Sequence, residues 1–116
     1  MELVYDKKNN SIGLKKIKMF QKRNNKITNK INVIMKNEDA LDIFLSIIKT
    51  KEQKCYNDFN YLVNNKILNY SIITTDNGNK KIIFEYQYNP KTLDGNVLNQ
   101  KCLDVIKSFQ LINKAI

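Results

Sequence analysis

Histidine and tryptophan are absent from this 116-residue chain, proline occurs once, and glycine appears only at Gly13, Gly78 and Gly95. Without histidine the chain lacks the commonest general base, the usual proton shuttle and the commonest metal ligand. Isolated glycines exclude a glycine-rich phosphate cradle. Cys55 and Cys102 are the only cysteines, and without histidine they exclude the usual catalytic thiol pair and the common zinc sites. Both fall among apolar helical positions and read as buried free thiols of a reducing, cytoplasmic compartment, with a disulfide between them as the alternative. Apolar runs reach only a few residues, and the amino terminus lacks the basic-then-apolar pattern of a secretion signal. The expectation is an intracellular, soluble, non-enzymatic protein with no cofactor, metal or membrane partner. Glu38 with Asp42, or Asp39 with Asp42, would share a helix face at a spacing that suits oxygen ligation of a divalent ion. Complementarity with the helix dipole explains the same acidic start without a ligand.

Cations are abundant, and they are unevenly placed. The chain carries a net charge of +9; Met1 to Lys36 holds ten Lys or Arg against two acids, whereas Asn37 to Ile116 holds ten against nine. A positive field confined to the first third attracts polyanions: nucleic acid, or an acidic protein surface. Nineteen of the twenty cations are Lys and only Arg23 is Arg, in a chain also rich in Asn and Ile, as AT-rich coding would produce. Lys acts as a point charge, so contacts of this kind read backbone rather than sequence.

The length and the 42% hydrophobic content suit one small basic α+β domain over residues 1–116. Its clearest local signal is Asp76-Asn77-Gly78-Asn79 between two apolar strands spanning Ile67 to Tyr88, which predicts a hairpin on a two-residue type I′ turn. That turn sets Ile73 opposite Ile82 and Ser71 opposite Phe84 on the core face. Phe84, Tyr86 and Tyr88 then form a period-2 ladder, read as a core face beneath the last helix rather than a stacking platform for unpaired bases. Upstream, Glu2–Asp6, Ser11–Gln21 and the alternating stretch Ile27, Ile31, Val33, Met35 predict a three-stranded antiparallel meander. Its outer face would carry Lys16, Lys18, Phe20, Lys22, Lys30 and Lys36.

Asn37 is the expected cap of a first helix with the stripe Leu41, Phe44, Leu45, Ile48. A polar break over 50–54 leads to a second helix bearing Cys55, Phe59, Leu62 and Val63, which ends near Asn64-Asn65 in the left-handed conformation that Asn tolerates. After Asn89-Pro90, the last helix repeats Leu98, Cys102, Val105, Phe109, Ile112 and Ile116, widened by Leu103, Ile106 and Leu111. This stripe reads as a helix packed across its own sheet, and it leaves a homodimer through the C-terminal helix open. The expected core joins Ile73, Ile82, Phe84, Leu41, Phe44, Leu45, Phe59, Leu62, Leu98, Val105 and Phe109.

Residues Leu62 to Tyr86, with a helix ending in Leu62-Val63, the exit Lys66-Ile67-Leu68 and an Asn-Gly wing, resemble the second half of a winged-helix DNA-binding domain. The resemblance covers about a quarter of the chain and implies DNA contacts by Lys54, Asn57, Asn60, Asn64, Asn79, Lys80 and Lys81. It departs from that family in the short interval of about 22 residues from Leu45 to Ile67, which must hold both helices of the motif.

Taken together, the residues point to a non-enzymatic nucleic-acid-binding module. Its interface would consist of Lys15, Lys16, Lys18, Phe20, Lys22, Arg23, Lys26, Lys30 and Lys36, with charge and one stacking ring on one sheet face. Lys101 and Lys107, in near-neutral surroundings on the last helix, are expected to matter less. The alternative is a small protein-binding inhibitor or adaptor, of viral or mobile-element origin, steered by its charge to an acidic surface or nucleoprotein complex.

Overall fold

The computed structural model describes residues 26–116. The strands expected over Glu2–Asp6 and Ser11–Gln21 lie outside them. Backbone contacts divide the chain into two units, of which one comprises Thr28–Tyr88 and Thr92–Ile116; of the other, only Lys26, Ile27 and Asn89–Lys91 are described. The elements run β1 (Ile27–Ile34), α1 (Ala40–Lys51), α2 (Gln53–Asn64), β2 (Leu68–Thr74), β3 (Lys80–Tyr88) and α3 (Leu93–Ala115). The strands form an antiparallel sheet in the order β1-β3-β2. The α+β class, the hairpin and the long C-terminal helix packed on the sheet are as the sequence predicts.

Alternation along β3 buries Ile82, Phe84 and Tyr86 and turns Lys81, Ile83 and Glu85 away, so one sheet face meets the helices. Against that face stand Phe44 of α1, Phe59 and Leu62 of α2, and Cys102, Val105, Ile106 and Phe109 of α3, each 4% exposed or less. The α3 stripe is therefore core. Leu45 and Leu98 pack at its margin, and Ala40, Ile48, Leu68, Tyr86 and Met35 join it. Cys102, Val105 and Phe109 of the predicted repeat are spent inside the fold, while Leu98, Ile112 and Ile116 are partly buried at its margin.

The hairpin differs from expectation by one residue. Ile72 pairs with Ile82, Tyr70 with Phe84, Leu68 with Tyr86, and Ile73 with Lys81. The cause lies in the turn, where the Gly78 N–H donates to Thr75 O (3.0 Å) and the Thr75 N–H to Asn79 O (2.8 Å), enclosing three residues rather than two. Gly78 alone takes a positive φ (85°) there, so this is a type I turn closed by a left-handed glycine, the three-residue hairpin form. The Thr75 hydroxyl, donating to Asn77 Oδ1 at 2.7 Å, holds the tip. Because side chains alternate, a slip of one residue exchanges faces. Ile73, predicted in the core, is 42% exposed on the outer face, and Leu68 takes the buried place.

Two helix ends also differ. Asn37 caps a turn before α1 rather than α1 itself: its Oδ1 accepts the Asp39 N–H (2.9 Å), and the helix begins at Ala40 without a side-chain cap. The predicted break over 50–54 narrows to Glu52, whose backbone (φ −137°, ψ 69°) ends α1 and starts α2, so two twelve-residue helices fit back to back. At the end of α2, Asn65 keeps a negative φ and Lys66 takes the left-handed position (φ 59°). The Ile67 N–H returns to Leu62 O (2.9 Å) and the Lys66 N–H to Val63 O (3.0 Å), the paired bonds of a Schellman ending.

Phe44→Ala removes the ring that touches both Phe59 and Phe109 and is expected to cost about 3 to 5 kcal/mol in urea denaturation. Lys66→Gly relieves a side chain in a region that costs L residues roughly 1 to 2 kcal/mol, less the added freedom of the unfolded glycine. A net gain of about 0.5 to 1 kcal/mol is expected in the same assay.

Candidate nucleic-acid interface

Of the nine residues predicted to bind nucleic acid, Lys15, Lys16, Lys18, Phe20, Lys22 and Arg23 lie outside the described residues. Lys26 is exposed just before β1. Lys30 sits on the sheet face that the helices leave open, because its neighbours Asn29 and Ile31 turn inward. Its ammonium lies 3.9 Å from Glu85 Oε1 with both side chains substantially exposed, a geometry worth no more than about 1 kcal/mol. The ammonium therefore stays available to an anion. Around it this outer face carries Asn32, Lys81 and Ser71, together with the exposed Ile34 and Ile73.

Lys36 differs from Lys30 in where its ammonium goes. β1 ends at Ile34, yet the Met35 N–H still donates to Lys80 O (2.9 Å) and exposure keeps alternating, with Met35 buried and Lys36 exposed, while the edge of this segment meets α3. Asn113, only 7% exposed, accepts the Lys36 N–H on Oδ1 (2.8 Å) and donates from Nδ2 to Ile34 O (2.9 Å). The Lys36 ammonium reaches Lys114 O (3.2 Å), where a cation complements the carbonyl end of the helix. Lys36 thus borders a groove of about 570 Å³ with Val33, Lys107, Gln110, Leu111, Asn113 and Lys114. Among the described residues, three ammonium groups line it and no carboxylate does. Reading the sequence missed this site. Its only trace there is the spacing of Lys107 and Lys114, two turns apart on one helix face with Leu111 between them. Lys101 does sit beside an acid, 3.8 Å from Asp58, but Lys107 borders the groove and is no neutral reference.

Comparison with protein-family models, curated proteins and solved structures finds no match to this chain. The residues that the winged-helix resemblance would place on DNA are partly engaged within the fold: Lys54 pairs with Asp58 (2.8 Å), Asn57 accepts from Gln53 (3.1 Å), and the Lys80 ammonium donates to Thr74 (2.9 Å).

Buried polar chemistry elsewhere is structural. The Tyr86 hydroxyl accepts from Asn29 Nδ2 (2.9 Å) and donates to Asn99 Oδ1, and burial raises its pKa against the lowering effect of the Asn29 bond. Cys55 and Cys102 are free thiols. Burial pushes Cys102 up to about 12 and also raises Cys55, so neither is a ready nucleophile at neutral pH. Glu38, Asp39 and Asp42 are all exposed, and among the described residues no group of three potential metal ligands occurs. No helix among the described residues is long and apolar enough to cross a membrane.

The Cys102 thiol keeps its proton in the folded state well above the ordinary value of 9.0. Its contribution is complete below that value and is lost as pH rises toward 12, because the unfolded thiol ionises first. Stability should fall by on the order of 1 kcal/mol per pH unit in that window. The corresponding part of the fall should be missing from Cys102→Ala when urea midpoints are compared.

Proposed function

We propose that the protein is a non-enzymatic nucleic-acid-binding module that engages phosphate backbone through the basic first third of the chain and the outer sheet face bearing Lys30. The observation that carries this reading is the exposed face itself: the described helices pack on one side of the sheet, and Lys30 stands on the other in the segment where the positive charge is concentrated. Lys ammonium groups on a sheet neutralise phosphates without demanding a base sequence. Lys30 stands on this face, and Lys15, Lys16, Lys18, Phe20, Lys22, Arg23 and Lys26 are the further contacts proposed from the same basic stretch of sequence. Phe20 supplies a ring on which an unpaired base can stack. Absence of histidine and the raised thiol pKa values agree with a binding role rather than catalysis. A cytoplasmic, reducing location suits the free thiols.

The test is a salt titration of binding to single- and double-stranded oligonucleotides. With about five phosphates engaged, affinity should fall on the order of a hundredfold between about 50 and 200 mM salt, with little sequence preference. Lys16→Glu combined with Lys30→Glu should weaken binding more than Lys101→Glu, since Lys101 already faces Asp58. No binding at low salt to either DNA or RNA would remove this reading.

A further inference from the structure

The groove between the end of β1 and the last turns of α3 is a second surface with a different chemistry. Among the described residues, Lys36, Lys107 and Lys114 rim it without a carboxylate, while Val33 and Leu111 supply apolar wall. Leu111 is 69% exposed although it lies on the helix that forms the centre of the core. A phosphate backbone would use the ammonium groups and leave this leucine idle, and no aromatic ring among the described residues lines the groove for a base to stack on. The nearest acid along the helix, Asp104, lies one turn before Lys107 and accepts a hydrogen bond from Gln100 (2.9 Å).

The wall is also held in place before any ligand arrives. Asn113 bonds both Ile34 O and the Lys36 N–H, fixing the end of β1 against α3, and prior ordering of this kind lowers the cost of binding. Lys36 spends one of its three ammonium protons on Lys114 O, leaving two for a partner.

We infer that this groove docks an acidic protein segment that presents an apolar side chain between its carboxylates. The carboxylates meet Lys36, Lys107 and Lys114, and the apolar side chain covers Leu111 and Val33. Long-range attraction brings the segment in, and the apolar contact separates it from other polyanions. This site is distinct from the outer face assigned to nucleic acid, so either assignment stands or falls without the other.

Fluorescence anisotropy on the whole protein tests it, using a short labelled glutamate-rich peptide with a central leucine pair and the same peptide with serine at those positions. The leucine peptide should bind about tenfold more tightly, equivalent to about 1.4 kcal/mol. Leu111→Ser should abolish that difference, and Lys107→Glu with Lys114→Glu should abolish binding of both peptides. All three positions are on the surface, so unchanged thermal melts confirm that the variants fold. Equal binding of the two peptides, or a leucine preference that survives in Leu111→Ser, overturns the assignment. An oligothymidylate that displaces the leucine peptide as well as unlabelled peptide does would assign the groove to nucleic acid instead and also overturn it.

Discussion

The fold depends on the ring of Phe109. Its centroid lies 5.4 Å from Phe44 of α1 and 5.6 Å from Phe84 of β3, both edge-on, and Phe44 in turn meets Phe59 of α2 at 6.0 Å. Four rings thus join the three described helices to the central strand of the described sheet. Edge-to-face geometry adds direction to what would otherwise be non-directional burial. Phe109 sits in the middle of that network, so the long helix α3 acts as the element against which the other layers are packed.

Apolar packing alone does not determine how α3 is aligned along the sheet. That alignment comes from polar ties at the two ends of β1. Near its start, Asn29, the Tyr86 hydroxyl and Asn99 form a chain from β1 through β3 to α3. Past its end, Asn113 satisfies both the Ile34 carbonyl and the Lys36 N–H. A buried amide with two fixed partners tolerates little sliding, because displacement would strand a backbone group away from water. The same contact that finishes the strand also shapes the lysine-rimmed groove.

Charge on the described surface therefore falls into two settings. Lys30 stands on a mixed sheet face beside Glu85, whereas Lys36, Lys107 and Lys114 surround an apolar recess with no acid among its described lining. The first suits neutralisation of a backbone, and the second suits a ligand that is both anionic and apolar.

Much of the fold was legible in the sequence because its signals are periodic: the stripe Leu41, Phe44, Ile48 on α1, the alternation Ile82, Phe84, Tyr86 on β3, and the repeat through Cys102, Val105 and Phe109 on α3. Periodicity reports which face of an element is buried, and it depends only on local geometry. It could not choose between a two- and a three-residue turn at Asn77-Gly78, since both are compatible with the same strands. The hydrogen bonds of Thr75 made that choice and carried Ile73 to the outer face. Nor could it show that the Lys36 ammonium reaches Lys114 O, or that Lys107 and Lys114, more than seventy residues further along the chain, come to stand beside it. Sequence by itself determined the described elements, the buried faces of the helices and of β3, and the uneven charge. Tertiary structure alone decided the hairpin register and the groove, because both depend on hydrogen bonds and contacts between segments whose proximity no local pattern encodes.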